Sequence, residues 1–127
     1  MRIAASGMAA AVTSLTATAS NVANAMTTGP VPDGTGASQN VYQPATVVTA
    51  PVSGGGVTAR VIHSPDYFLA YQPSDPAANA QGMVAAPNID LASQMVNQLS
   101  ASLAFQANAK LFRIADHNQK VLLDMLA

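Results

Sequence analysis

Cysteine, tryptophan and glutamate are absent from the chain. The first absence excludes a disulfide framework, a thiolate metal site and a cysteine nucleophile. Charge of either sign is scarce, with five Lys/Arg and six Asp in 127 residues, 9% where ordinary soluble domains carry roughly 25%. A net charge of −1 without any basic cluster excludes the electrostatic footprint of a nucleic-acid binder. No run approaches the ~18 consecutive apolar residues of a membrane span, because Ser6, Gly7, Thr13, Ser14, Thr16 and Thr18 interrupt the N-terminal stretch. The expectation is a chain that does not span a bilayer.

Large apolar side chains are few as well. Half of the residues are apolar by type, but 26 of them are alanine. Such a chain builds a thin core and buries little apolar area per residue as a monomer, which points to packing against copies or relatives. Arg2 ahead of the alanine-rich run loosely mimics a secretory signal. The large residues Met8, Val12, Leu15 and Val22 are nevertheless spaced as a helix face rather than gathered into a compact block.

What is present is periodicity. Met1, Ala5, Met8, Val12, Leu15, Ala19, Val22 and Met26 follow one another in alternating steps of four and three, an uninterrupted heptad seam. The spacing predicts an N-terminal helix ending between Asn24 and Thr28, ahead of Gly29-Pro30. No charge occurs from Ile3 to Pro32. A solvated helix carries Lys and Glu on its outer face, so this one is expected to have neighbours on most sides.

Residues 27–39 lack apolar periodicity and read as a loop. Val41 to Ala50 and Val57 to His63, rich in Val and Thr and joined through Gly54-Gly55-Gly56, predict a β-hairpin whose first strand Pro44 breaks or confines to an edge. Tyr67 to Tyr71 is a third short run that could join this sheet, and Pro73 to Pro87 reads as turn-rich and extended. Asn88 is the expected N-cap of a long second helix, with Asp90 suiting its first turn. Its stripe runs through Ile89, Val96, Leu99, Leu103, Leu111, Ile114, Leu122 and Met125. The fold class is therefore mainly α with a small β insert. Segments 1–28 and 88–127 form one antiparallel, coiled-coil-like hairpin around the β-rich insert 29–87.

Catalysis finds little support. His63 and His117 stand apart, the glycine run precedes a strand rather than a helix, and no metal-ligand spacing occurs. No cofactor or small-molecule substrate is expected. Asn21, Asn24 and Thr28 share one side of the first helix, either as an amide ladder that fixes register between packed helices or as a solvated helix terminus. Phe105 and Phe112 lie seven apart, offset from Leu99, Leu103 and Leu111. The expectation is that the leucines face the N-terminal helix and the phenylalanines face another subunit.

Two segments resemble a known family. Ala19-Ser20-Asn21-Val22-Ala23-Asn24-Ala25 is similar to the ASN-[ILV]-AN signature of flagellar rod and hook axial proteins. Pro87-Asn88-Ile89-Asp90-Leu91, Met95-Val96-Asn97 and Phe105-Gln106-Ala107-Asn108 resemble the C-terminal pattern of the same family. Gly56-Val57, Tyr71, Pro73, Pro76 and Gly82-Met83-Val84 resemble the middle of its proximal-rod branch, the FlgC type. The resemblance implies a structural subunit of the flagellar basal body that self-associates, transmits torque and lines the export channel. It implies further partners: other rod subunits, ring or adaptor proteins, and the flagellar type III export apparatus. It also implies a periplasmic location reached without a cleaved signal peptide. Met8, Val12, Leu15, Asn21, Val22, Asn24, Val96, Leu99, Leu103, Phe105, Asn108 and Phe112 are the expected assembly residues. The competing reading is a secreted or surface helical-hairpin binding module that displays the β insert.

Overall fold

A computed structural model describes residues 1–32 and 41–126. Helix α1 spans Arg2–Asn24. Strands β1 (Ala45–Pro51) and β2 (Val57–His63) form one antiparallel hairpin. Strands β3 (Tyr67–Tyr71) and β4 (Met83–Pro87) form a second. Helix α2 spans Leu91–Asp124, about 51 Å at 1.5 Å per residue. Both long helices and the hairpin thus form where the sequence predicts them. Gln39 and part of the expected 27–39 loop lie outside the described residues.

Three boundaries differ from the sequence reading. The first strand begins at Ala45 rather than Val41, because Pro44 offers only its C=O, which accepts the N–H of Ser64 at 2.9 Å. The N-cap of α2 is Asp90, not Asn88. Asn88 directly follows β4, its N–H donating to the C=O of Asp66, and the Asp90 carboxylate accepts the N–H groups of Ala92 and Ser93. Finally, Tyr67–Tyr71 does not join the first hairpin. It pairs with Met83–Pro87, a short alanine-containing strand read in the sequence only as extended.

Each small sheet is tied to α1 or to the chain leaving it by specific bonds, as units too small to be stable alone must be. At the tip of the first hairpin Gly54, Gly55 and Gly56 all adopt positive φ, and a Cβ at Gly56 would sit 2.5 Å from the hydroxyl oxygen of Ser6. That oxygen accepts the N–H of Val57 at 3.1 Å while its proton goes to the C=O of Ile3, fastening the tip to the start of α1. In the second sheet, Gly29 exchanges two hydrogen bonds of 2.9 Å with Ala85, and Thr28 donates its hydroxyl proton to Asp75 at 2.6 Å. The chain leaving α1 is thereby stitched to β4 and to the β3–β4 connection. Val84 and Ala85 are wholly buried there.

The two helices pack antiparallel, but not through the predicted seam. The buried row on α1 contains Ala4, Ala11, Thr18 and Asn21, continued by Gly7 and Ser14. This row runs one residue behind Ala5, Met8, Val12, Leu15, Ala19 and Val22. On α2 the buried residue is Ala101. The small residues leave room for side chains of α2: a Cβ on Gly7 would lie 2.6 Å from Oδ1 of Asn108. The leucine seam of α2 is correspondingly displaced outward, with Leu99 62% and Leu103 56% exposed. The expectation that Leu99, Leu103 and Leu111 face α1 is therefore corrected, since large side chains would hold the helices apart where alanine and glycine let them touch.

Candidate assembly surface

Among the described residues the least exposed polar side chain is that of Asn21, only 2% exposed. Its Nδ2 donates to the C=O of Ala45 at 2.8 Å and to Oε1 of Gln94 at 3.0 Å. Its Oδ1 accepts the N–H of Ala45 at 2.8 Å and lies 2.9 Å from the hydroxyl of Tyr42. All four hydrogen-bonding positions of the amide are filled. Tyr42 also lies 2.9 Å from Oγ of Ser20. Having a single proton, it donates to one neighbour while the serine hydroxyl supplies the other bond. One side chain of α1 thus fixes β1, α2 and the approach to the hairpin in a single node.

Within the subunit, Asn21, Asn24 and Thr28 bond separate partners rather than forming a ladder. Asn24 donates to the C=O of Ser20 within its own helix, and Thr28 bonds Asp75. Asn21 does bond a neighbouring backbone, as that reading required, but the backbone belongs to its own chain.

The other expected assembly residues divide by exposure. Val12, Val22, Val96, Leu99 and Leu103 are exposed, and Met8, Leu15, Asn24, Asn108 and Phe112 are half-buried. Phe105, at 37%, and Phe112 lie nearer the packed side of α2 than the leucines do, the reverse of their expected positions. Ile3, Met95, Leu111, Ile114, Leu122 and Leu123 extend the exposed apolar rows, the last two on a stretch of α2 that runs past the start of α1. Contiguous apolar surface of this kind marks an interaction face.

Charged groups serve local ends. The hydroxyl of Ser93 and the N–H groups of Ala92 and Ser93 hold the Asp90 carboxyl below the usual carboxylate range. The Thr28 hydroxyl and the Ala77 N–H do the same for Asp75. Asp116 and Lys120 form an exposed pair one helical turn apart at 2.9 Å, which raises the lysine. Among the described residues no three His, Cys, Asp or Glu side chains gather as metal ligands. Helix α1 is long and apolar enough to cross a membrane by composition, although its apolarity comes largely from alanine and its buried face packs on α2 and the hairpin.

Comparison with known proteins accords with this architecture. Residues 1–30 match the family described as "Flagella basal body rod protein", and residues 80–125 match "Flagellar basal body rod FlgEFG protein C-terminal". The chain is 43% identical over 113 residues to the flagellar basal-body rod protein FlgC of Escherichia coli O6:H1, covering 85% of this chain and 81% of that one. It is 44% identical over 111 residues to FlgC of Salmonella typhimurium, with 84% and 80% covered. Against FlgC of Agrobacterium fabrum it is 30% identical over 119 residues, with 88% and 82% covered. The two matched segments are α1 with the chain leaving it, and the end of the second sheet with α2. With its helix pair and its β insert both accounted for, the chain belongs to the FlgC family of flagellar basal-body rod proteins, as a structural subunit of the rod.

Proposed function

We propose that the chain enters the proximal part of the rod by burying the large apolar rows of both helices against neighbouring axial proteins and copies of itself. In that position it transmits torque and contributes to the wall of the export channel, with ring or adaptor proteins as further neighbours. It acts without catalysis. The observation that carries this reading is the inversion of the helix seams: alanine and glycine close the hairpin inside, while Val12, Val22, Val96, Leu99 and Leu103 are left outside. A monomeric binding module gains nothing from two such faces, whereas a subunit surrounded on most sides requires them.

The same composition supports travel as an unfolded chain through the flagellar export apparatus to the periplasm. A core built largely of alanine loses little burial free energy when opened. Sedimentation and amide exchange of the dilute chain, beside complementation of a non-motile deletion strain, test the proposal. The expected result is restored swimming together with exchange across 3–24 that is faster in the dilute chain than in isolated basal bodies. A well-folded monomer strongly protected over those residues at every concentration, and unable to restore swimming, contradicts it.

A further inference from the structure

A groove of about 450 Å³ lies along the hairpin, floored by Ala10, Ala11 and Ala17 of α1 and walled by β1 on one side and α2 on the other. Among the described residues no charged side chain lines it. The β1 wall is a strand edge whose bonding directions follow from the register. Ala45 turns its N–H and C=O toward Asn21, away from β2, while the neighbouring Pro44 C=O is bonded to Ser64 on the β2 side. Backbone direction alternates along a strand, so Val47 and Thr49 also turn their N–H and C=O outward. Both residues line the groove, and among the described residues neither outward pair has a partner. Asn21 therefore occupies the first position of an open edge, and two further positions continue past it. Across the groove, Asn97 and Ser100 present side chains that have no hydrogen-bond partner among the described residues.

We propose that this groove receives an extended, uncharged segment of another axial protein, added to β1 as a strand. Backbone bonds to Val47 and Thr49 would hold one edge of that segment, and Asn97 and Ser100 would meet the other. The alanine floor admits only small side chains on the inward face. This is recognition by strand addition, in which main-chain bonds supply affinity and the floor supplies selectivity. The chain's own described strands fit poorly. β2 carries Arg60 and His63, β3 carries Tyr67, Phe68, Leu69 and Tyr71, and the outer edge of β4 is already bonded to Gly29. β1 against β1 of a copy would close a two-fold pair that cannot propagate along a rod.

The inference rests on the rod reading, and the test separates the two. Amide exchange is measured on the free chain and on basal bodies isolated from cells that make it, with a Thr49→Pro variant alongside. Proline at 49 removes only the outward N–H and leaves the β1–β2 ladder intact, and Thr49→Val controls for the lost hydroxyl. The expected result is exchange at Val47 and Thr49 slowed by roughly a hundredfold in the rod. Thr49→Pro should enter the rod about tenfold less than wild type while Thr49→Val enters normally, a loss that matches about 1.4 kcal/mol. Because the chain has no cysteine, Ser100→Cys carrying a photoactivatable label gives a unique cross-linking position. Its product should be a charge-free segment of another axial protein. Amides at 47 and 49 as fast in the rod as in the free chain, normal entry of Thr49→Pro, or a cross-link confined to a second copy overturns the proposal. Complete failure of the wild-type chain to enter the rod overturns the rod reading instead, and this inference with it.

Discussion

The carboxamide of Asn21 bonds the N–H and the C=O of Ala45 at 2.8 Å each, so a helix side chain stands where the next strand's backbone would run. Removing it strands the N–H and C=O of Ala45 and the Oε1 of Gln94, while Tyr42 keeps only its bond to Ser20. Leaving buried donors and acceptors unmade costs about 1–3 kcal/mol, more than the helix propensity that alanine restores. Asn21→Ala should therefore lower the thermal midpoint and abolish swimming. Asn24→Ala removes only a bond to the helix's own Ser20 and should leave the midpoint nearly unchanged. Circular dichroism melts beside soft-agar swimming check the pair, and equal destabilisation by both would show that Asn21 has no special role.

Gly7 faces the Asn108 amide, the movable end of a side chain that also donates to the C=O of Ala104. Gly7→Ala should be tolerated within about 1 kcal/mol, because the helix propensity gained offsets the displaced amide. Gly7→Leu has no such escape and should force the helices apart. Stability of both variants in urea decides the matter, the prediction failing if leucine is as well tolerated as alanine.

Leu103 is 56% exposed and Phe112 half-buried. Leu103→Ala should change subunit stability by no more than about 0.5 kcal/mol, as exposed sites do, yet reduce incorporation into the rod. Phe112→Ala should lower helicity in the subunit itself. Helicity and incorporation measured side by side would contradict this division if Leu103→Ala proved the more damaging to helicity.

Hydrogen bonds at the start of α2 depress the Asp90 carboxyl relative to the unfolded chain. A carboxyl lowered by folding contributes stability that is complete above the ordinary aspartate range and lost as pH falls through its folded value. Helicity should thus fall as the pH drops below the ordinary aspartate range. Asp90→Asn keeps an N-cap and should flatten that part of the acid titration, with Asp75 supplying what remains. An unaltered acid limb in Asp90→Asn would remove Asp90 from the account.

Much of the architecture was legible in the sequence because heptad spacing, the Val/Thr-rich strands and three successive glycines are local signals. The packed face was not legible. On α1 the row Ala4, Gly7, Ala11, Ser14, Thr18, Asn21 and the row Ala5, Met8, Val12, Leu15, Ala19, Val22 have the same period and lie one residue apart. Periodicity identifies both rows, and hydrophobicity favours the larger side chains. Close helix approach selects the smaller ones. β4 escaped notice because Met83–Pro87 is short and alanine-containing, and its partner lies beyond an intervening turn. The bond from Asn21 to Ala45 joins residues 24 apart in sequence, a distance that helix spacing alone cannot bridge.

The central claim is that the large apolar rows are covered by neighbouring subunits rather than by the chain itself. A density map of the assembled basal body with this chain placed tests it most directly, through the accessibility of Val12, Val22, Leu99 and Leu103. The account predicts that all four side chains, exposed in the subunit, become buried against other chains while the Ala11–Ala101 side of the hairpin keeps its internal packing. Finding those four side chains in contact with solvent, or turned inward between α1 and α2, would contradict it.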